Sequence, residues 1–472
     1  MRIVQTLWTG DKPLLENTFG WRYPEYNLMS WAMSCLSLRE HYDEVVLFTD
    51  SEGAHILADK LKLPYTDVII AYDGFKCLPQ HWALSKINTY YIQTGPFIHI
   101  DGDIFLPHKL SKKIEKGRLV AQNHEYGTSY YKHMMDRLLE CKGICIPDFL
   151  EQGLREGTVS SYNMGFFGGT DLTFIYHYCE EVFRFFEANR LNDSTSNCSS
   201  INCNVIFEQV FFALLAGREH RKVETVLKRD MRDDGYAAKD FCNVMRFNKH
   251  RFFHLLGGHK LNRDTCYQLE RTLLRRYPDT YRHILELFPG LHRRINPEKE
   301  EELCIDNISA PYTDFIRHEE RQWRKLTTDS LFKQEQQTAL YCDFLEATTR
   351  QRNETKLERN PQIAIYALPK NSKPLTNSIR KRLAAKGPAK CSDIAVIPSV
   401  LETGIREIPI DDAAYNILSL LDVPKRLADL RKDFRKTFSA PLRKQTTQIN
   451  DCFQKTIGYL LRHGLITIRT TP

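Results

Sequence analysis

Two aspartates, Asp101 and Asp103, are the residues whose type and spacing point most directly to chemistry. They follow the largely apolar run 96–100, which is typical of a buried strand, and Gly102 lies between them. Side chains at i and i+2 of an extended chain point to the same side, so both carboxylates can reach one cation. Oxygen ligands of this kind suit Mg²⁺ or Mn²⁺, and Gly102 would let a ligand approach the backbone. A plain Asp-Gly turn at the end of a strand is the alternative that these residues leave open.

The elements around this strand indicate an α/β fold. Strands alternate with helices in the first hundred residues, with strands predicted at 3–8, 45–50 and 68–70 and helices at 27–40, 52–61 and 82–93. Such alternation is typical of a largely parallel sheet. The first strand is not followed by Gly-x-Gly-x-x-Gly, and the sequence has no Gly-Lys-Ser or Gly-Lys-Thr phosphate loop. The sequence therefore disfavours a dinucleotide-binding fold and a P-loop nucleotidase.

Composition places few limits on function. The length of 472 residues favours about three domains. The 66 basic and 59 acidic residues give a net charge of +7, which does not by itself indicate nucleic-acid binding. Thirteen cysteines without paired metal spacing predict free thiols in a reducing compartment. No apolar run approaches the roughly 20 residues that span a bilayer. We therefore expect a cytoplasmic protein with no membrane span and no nucleic-acid partner.

Four other polar motifs lie in a fixed order around the aspartates. They are Lys86 in the preceding helix, Asn163-x-Gly165 before a later strand, Glu208-Gln209 in an apolar helix, and His254-x-x-Gly257-x-x-Lys260. Each motif has a structural alternative, since a helical lysine is usually solvated and a lone histidine usually fills a core or surface position. An Asn-x-Gly string can simply shape a turn, and a polar pair in an apolar helix needs hydrogen-bond partners wherever it lies.

In this order the motifs resemble the GT-A nucleotide-sugar glycosyltransferases, and most of all the retaining glycogenin and lipopolysaccharide galactosyltransferase group. The resemblance covers about residues 1–262 and implies a Rossmann-like, mixed and mostly parallel sheet. It implies that Asp101, Asp103 and His254 hold Mn²⁺ or Mg²⁺, with the histidine as the third protein ligand. Such a cation would help to neutralise the diphosphate that leaves when a sugar is transferred.

The same resemblance implies how the donor would be bound. Lys260 and the backbone at Gly257 would receive the diphosphate, and Lys86 would reach the donor sugar or a phosphate. The first strand would carry the nucleotide base and ribose. The predicted donor-binding residues are therefore Gln5, Thr6, Lys86, Asp101, Gly102, Gly165, Gly257 and Lys260.

Three residues are predicted to be catalytic, namely Asn163, Glu208 and Gln209. The resemblance implies that Asn163 and Gln209 bind hydroxyls of the donor sugar and fix the acceptor's angle of attack. Glu125, which follows the predicted strand 119–123, is a further candidate for contact with the acceptor.

The middle of the chain differs from the first 262 residues in composition and in predicted secondary structure. Residues 263–369 are charged and predicted to be helical, with helices at 268–276, 281–288 and 314–352. Residues 370–390 are rich in basic residues, Pro, Ser and Gly without apolar periodicity, which indicates a linker or an exposed β-arm.

The last segment, 391–472, is predicted to be a separate winged-helix domain with a β-hairpin, three helices and a closing strand. Its segments 408–414 and 417–422 resemble PqqD-type peptide-recognition domains. That resemblance implies capture of the leader of a ribosomally made precursor peptide by strand addition. DNA binding and simple assembly are the alternatives that the pattern leaves open.

The function that we expect is a metal-dependent transfer of a sugar from a nucleotide-sugar donor, with a UDP-sugar favoured. The acceptor would be a glycan or a peptide, which the C-terminal domain would hold. The alternative is a catalytically degenerate GT-A scaffold that carries a peptide- or DNA-binding winged helix. A metal-dependent nucleotidyltransferase or hydrolase would also use paired aspartates.

Overall fold

The computed structural model describes residues 1–10, 12–155, 159–195, 203–232, 244–288, 336–337, 340–341, 343–361, 363–367, 393–398 and 405–469. The chain divides into two compact units, Met1–Glu270 and Arg271–Pro472. The predicted linker or arm at 370–390 lies outside the described residues, as does most of the predicted helix 314–352. Among the described residues, no helix combines the length and apolar character needed to cross a bilayer.

The first unit is built on a seven-stranded sheet of order β3-β2-β1-β4-β7-β6-β8, with a separate two-stranded sheet of β5 and β9. The strands are β1 (Arg2–Leu7), β2 (Val45–Thr49), β3 (Asp67–Ile70), β4 (Phe97–Ile100), β5 (Ile104–Phe105), β6 (Leu119–Tyr126), β7 (Ser160–Gly169), β8 (Val223–Thr225) and β9 (Phe253–His254). Only β7 runs antiparallel to the other six strands of the large sheet. The predicted α/β class with a mostly parallel, mixed sheet is therefore confirmed.

The helices of this unit alternate with the strands as the sequence predicted. They are α1 (Pro24–Arg39), α2 (Ser51–Ala54), α3 (Leu84–Tyr91), α4 (Lys112–Glu115), α5 (Ser129–Leu139), α6 (Asp148–Arg155), α7 (Leu172–Ala188) and α8 (Phe211–Arg218). Wide π-helical turns occur at His55–Lys60 and Ile206–Val210, and 3₁₀ turns at Pro79–His81, Val244–Lys249 and Gly257–Leu261. Asp50 and Asp171 cap α2 and α7 by accepting hydrogen bonds from backbone amides of the first turn.

The core of the first unit is aromatic where α3, α7 and α8 pack on the sheet. Phe167 of β7 is fully buried, and its ring centroid lies 4.4 Å from that of Tyr90 and 5.1 Å from that of Phe212. These contacts join a strand to two helices that are far apart in the sequence. Large aromatic groups of this kind contribute much of a core's apolar burial.

Two glycines end β7 where it lies between β4 and β6. Gly168 has a φ of +147°, and a Cβ there would lie 2.2 Å from the Phe97 carbonyl oxygen. Gly169 has a φ of +135°, and a Cβ there would lie 2.1 Å from the Arg118 carbonyl oxygen. Any larger residue would force the strands apart, so the two glycines keep the antiparallel strand in its register.

The second unit contains two three-stranded sheets, ordered β11-β12-β13 and β14-β10-β15. Its strands are β10 (Lys356–Arg359), β11 (Ala364–Ala367), β12 (Asp393–Pro398), β13 (Ile405–Ile410), β14 (Lys425–Arg426) and β15 (Ile466–Ile468). Its helices are Pro278–Glu286, Thr349–Glu354, Asp412–Leu420, Leu427–Lys436, Ala440–Arg443 and Thr446–Arg462, while the helix Arg263–Arg276 crosses the boundary between the units. The predicted hairpin, three main helices and closing strand of 391–472 are all present.

Two expectations need correction. The segment 263–369 is not wholly helical, since it contains β10 and β11. Their partner strands come later in the chain, so the local sequence pattern does not reveal them. The expectation that all cysteines are free thiols is also wrong, because Cys141 is disulfide-bonded.

We predict that Gly168→Ala strongly destabilises the protein, because the new methyl group would overlap the Phe97 carbonyl oxygen. The free energy of unfolding should fall by at least the upper end of the roughly 1–3 kcal/mol that overpacking costs. Thermal unfolding of the full chain, followed by circular dichroism, measures this. The control is Gly95→Ala, where a Cβ would meet no heavy atom within 4 Å. Equal unfolding temperatures for the two variants would contradict the register argument.

Candidate functional site

The structure brings Asp101, Asp103 and His254 together at the carboxyl end of β4. One side-chain ligand atom of each residue lies within 4.8 Å of the others. The histidine reaches the aspartates because β9 pairs with β5, which places His254 opposite Ile104. Within the described residues, this is the one group of three or more His, Cys, Asp or Glu side chains with such spacing. The three predicted metal ligands therefore form one cluster.

The ring of His254 is fixed by a hydrogen bond on the side away from the aspartates. Its Nδ1 lies 2.7 Å from Oε1 of Gln122 on β6, and the Gln122 amide nitrogen in turn donates to Asn123. Because an amide oxygen only accepts, Nδ1 donates this hydrogen bond, and Nε2 faces Asp103, whose Oδ1 lies 3.5 Å away. This arrangement is typical of a histidine that ligates a metal. Gln122 was not identified from the sequence, where nothing distinguishes it.

Gly165 lies against the His254 ring. A Cβ at this position would lie 2.6 Å from Cε1 of His254 and 2.8 Å from Oε1 of Gln122. The Gly165 carbonyl accepts a hydrogen bond from the Asp101 amide at 3.0 Å, and its own amide donates to Oδ1 of Asn163. The Asn-x-Gly motif is thus explained by its contacts, because Gly165 helps to place the predicted metal ligands Asp101 and His254. A direct contact of Gly165 with a donor stays a prediction.

A buried lysine links the aspartate strand to the helical segment that carries Glu208. Nζ of Lys86 lies 2.8 Å from Asp101 Oδ1 and 2.5 Å from Glu208 Oε1, and Lys86 is only 5% exposed. Burial alone would lower the Lys86 pKa, but the carboxylates of Asp101 and Glu208 raise it above its ordinary value. Burial raises the pKa of both carboxyl groups despite the lysine beside them. The ammonium group thus lies between two acidic partners, and its predicted contact with the donor sugar or a phosphate stays a prediction.

A second lysine pairs with the other aspartate. Nζ of Lys260 lies 2.8 Å from Asp103 Oδ2. Burial opposes ionisation of Asp103, yet the Lys260 ammonium and the contact with His254 hold the Asp103 pKa well below its usual range. The three carboxylates of Asp101, Asp103 and Glu208 face two lysines, so the cluster carries a formal charge of −1 with neutral histidines. A divalent cation would reverse that sign and prepare the site for an anion.

The π-helical turn Ile206–Val210 directs two adjacent polar residues to different partners. Glu208 faces Lys86, whereas the Gln209 side chain is hydrogen-bonded by the Tyr131 hydroxyl. The same hydroxyl contacts Glu125. Nδ2 of Asn163 lies 3.5 Å from Glu125 Oε1. The predicted residues Asn163, Gln209 and Glu125 therefore form one connected group. π-turns of this kind are frequent at functional sites.

Tryptophans, which the sequence analysis did not assign to the site, surround the aspartates. The Trp31 indole fills the space above Gly102, where a Cβ would lie 2.6 Å from its ring. The ammonium groups of Lys260 and Lys86 lie 5.7 and 6.0 Å from the ring centroids of Trp21 and Trp82. Gly102 is thus required by tryptophan packing, and the approach of a ligand to its backbone stays a prediction. Trp82 is 49% exposed at the edge of the cluster.

Gln5 faces the core, and its predicted role in donor binding stays a prediction. Its side chain is fully buried, and its amide bonds to Ser34, the Ile100 carbonyl and Tyr65. Alternate residues of a strand face opposite sides, and Gln5 faces the core. Thr6 faces the other side, where its hydroxyl contacts Thr89 and His99, and a donor contact from this half-buried residue stays a prediction.

The glycines of the segment after His254 have free space around them. Gly257 has a φ of +54°, and a Cβ at Gly257 or Gly258 would meet no heavy atom within 4 Å. This is the left-handed conformation that disfavours other residues. The Gly257–Leu261 turn leads directly to Lys260, so an anion can approach the backbone and the ammonium group from the same side.

We predict that Lys86→Met lowers the free energy of unfolding by about 3–5 kcal/mol, because it leaves Asp101 and Glu208 without their cation. Urea unfolding of the full chain measures the loss. The double variant Lys86→Met/Glu208→Gln should recover part of it, since one uncompensated carboxylate is removed. Lys132→Met, on the exposed face of α5, is the matched control and should change little. An unchanged midpoint for Lys86→Met would show that the buried ion pairs do not support the fold.

One family match covers this part of the chain. Residues 1–287 match the Family of unknown function (DUF6734). No curated protein matches the chain. The matched segment holds all residues of the candidate site and is more than half of the 472 residues. The chain therefore belongs to the DUF6734 family.

Proposed function

We propose that the first unit is a metal-dependent glycosyltransferase of the GT-A type. It would transfer a hexosyl group from a nucleotide sugar, with a UDP-sugar favoured, to an acceptor with retention of configuration. The observation that carries this proposal is the convergence of Asp101, Asp103 and His254, with a lysine on each side of the pair of aspartates. This is the constellation that a leaving diphosphate requires.

The position of the cluster in the fold supports the proposal. Asp101 follows the carboxyl end of β4, next to the antiparallel β7, where the parallel order of the sheet is interrupted. Ligands of open α/β sheets bind beyond the carboxyl ends of the strands, near such changes of strand order. The mixed sheet and the small β5–β9 sheet agree with the GT-A architecture that the sequence motifs suggested.

The donor set fits a divalent cation. Two carboxylates and one imidazole with a free Nε2 suit Mn²⁺, and Mg²⁺ would accept the carboxylates. Asp101, Asp103 and His254 would hold the ion, and a bound ion would neutralise the charge that develops on the diphosphate. The hydrogen bond from His254 to Gln122 supports this assignment, because it orients the ring before any ion binds.

The other residues of the site would bind the diphosphate and orient the donor sugar. In the transfer, the bond between the anomeric carbon and the diphosphate oxygen breaks, a bond to the acceptor oxygen forms, and the proton of the acceptor hydroxyl passes to the released diphosphate. Lys260 and the open backbone at Gly257 would bind the departing diphosphate. Lys86 would hold Asp101 and Glu208 in place. Gln209, held by Tyr131, would orient the sugar hydroxyls together with Asn163.

We propose that the second unit recognises a peptide. Within its described residues, β13 ends the β11-β12-β13 sheet, so one edge of this strand has no strand partner, while the Tyr459 hydroxyl donates to the Pro409 carbonyl. Main-chain pairing at such an edge is the usual way in which an extended peptide is bound.

We also propose that the protein is cytoplasmic. The seven free cysteines of the described residues support this location, whereas the disulfide bond of Cys141 does not.

The test of catalysis is the double variant Asp101→Asn/Asp103→Asn. We predict that Mn²⁺-dependent hydrolysis of UDP-sugars falls by about 100-fold or more, because the carboxylates that hold the cation are lost. Electron paramagnetic resonance of free Mn²⁺ reports binding separately, and the variant should lose the site. Asp136→Asn, an exposed aspartate of α5, is the matched control.

Three results of this experiment separate the alternatives. Full activity in the double variant would rule out the proposed site. If the wild-type protein binds Mn²⁺ and UDP tightly but hydrolyses no UDP-sugar, the result would favour a degenerate scaffold. Release of UMP and sugar phosphate, in place of UDP and free sugar, would indicate a hydrolase or nucleotidyltransferase.

For the second unit, we predict that pooled synthetic peptides slow amide hydrogen exchange in the strand Ile405–Ile410 of the full chain. An added strand would protect the open backbone amides of this edge. Exchange measured by mass spectrometry tests this, with a duplex DNA oligonucleotide as the comparison. Protection by DNA but not by peptides would contradict the proposal.

A further inference from the structure

A second charged cavity lies on the first unit, and none of the residues of the cation cluster lines it. Its volume is about 680 Å³, within the range of small-molecule sites. Six basic side chains line it: Lys112, Lys113, Lys116, Arg118, Arg221 and Lys222.

The cavity lies at the end of the sheet opposite to the cation cluster. Residues 112–118 immediately precede β6, and Arg221 and Lys222 immediately precede β8, which runs parallel to β6. Asp171 follows the antiparallel β7, so it lies at the same end. Asp101, in contrast, follows the carboxyl end of β4. A ligand in this cavity would therefore not compete for the proposed donor site.

Acidic residues of the cavity pair with four of the six cations, whose own side chains are largely exposed. Glu224 lies 2.7 Å from Lys113 and 2.9 Å from Lys222. Asp171, whose side chain is only 9% exposed, lies 2.7 Å from Arg118 and 3.7 Å from Arg221.

The turn that carries Arg221 is fixed. The amides of His220 and Arg221 close the end of α8 by donating to Gly217 and Ala216 carbonyls. Planar guanidinium groups held in this way are suited to bidentate contact with phosphate.

Two of the lysines that line the cavity differ from the other four cations. Lys112 and Lys116 form no ion pair with any carboxylate of the described residues, although the neighbouring Lys113 does. Lys112 begins the single turn α4, and Lys116 directly follows its end. A bound anion would reduce the repulsion between these two charges. The cavity lining therefore has six cations against three acids, Asp171, Glu219 and Glu224.

We propose that this cavity binds a small soluble molecule that carries two or more linked phosphate groups. Several linked charges are expected because the six cations come from separate segments, the one before β6 and the one before β8, and no single phosphate would pair with all of them. The interspersed acids interrupt the continuous basic track that a nucleic acid would require. The inference does not depend on the proposed glycosyl transfer.

The test is calorimetric titration of the full chain with inorganic tripolyphosphate in the absence of divalent cations. We expect one saturable site per chain, and binding at least about tenfold weaker in Lys112→Gln/Lys116→Gln, because two charge-assisted contacts are lost. Added NaCl should weaken binding to the wild type more than to the variant. Lys132→Gln/Lys142→Gln, which removes the same charge elsewhere on the first unit, is the control and should bind as the wild type does.

Three outcomes would overturn the proposal. The first is the absence of saturable binding to the wild type. The second is unchanged affinity in Lys112→Gln/Lys116→Gln, which would place the phosphate at Lys260 or another site. The third is binding to vesicles with anionic phospholipids but not to tripolyphosphate, which would indicate a lipid surface as the source of the phosphate groups. Because the substituted lysines are exposed, we expect the variants to fold as the wild type does. Equal thermal unfolding midpoints for the variants and the wild type would verify this.

Discussion

The pairing of buried carboxylates with lysines is the constraint on which the first unit depends. A carboxylate that is removed from water costs several kcal/mol unless a cation and hydrogen bonds compensate it. Lys86 satisfies Asp101 and Glu208 at once, so it fixes the end of β4, helix α3 and the π-turn relative to one another. Lys260 does the same for Asp103 and the segment after β9. The candidate site and the fold around it are thus stabilised by the same charges.

Close packing then sets the direction of each side chain in the site. The Trp31 ring occupies the space above Gly102, and the His254 ring occupies the space above Gly165, so both glycines are places where no side chain fits. The hydrogen bond to Gln122 selects the protonated nitrogen of the histidine. A site built in this way is oriented before any ligand arrives, and such preorganisation lowers the cost of binding and of charge development.

The two ends of the large sheet have opposite electrostatic character. The carboxyl ends of the parallel strands carry the acidic cluster around Asp101 and Asp103, which suits a cation. The amino ends of β6 and β8 border the basic cavity, which suits an anion. The residues of the two sites lie at opposite ends of β6 and β7. This separation is a consequence of placing charged loops at both edges of one apolar sheet.

The sequence by itself determined the α/β class, the alternation of strands and helices, and the winged-helix-like order of elements after residue 391. These features follow from periodicity and local spacing, which act within a few residues. The expectation that Asp101 and Asp103 share a direction because they lie on an extended strand was wrong in its reason, since β4 ends at Ile100 and the two residues lie in a turn that the Ile104 amide closes by donating to the Asp101 carbonyl. Only the tertiary structure decided that Gln5 faces the core, that Gln122 orients His254, and that β10 is a strand. The physical reason is that the buried face of a strand and the partner of a polar group depend on elements distant in the sequence.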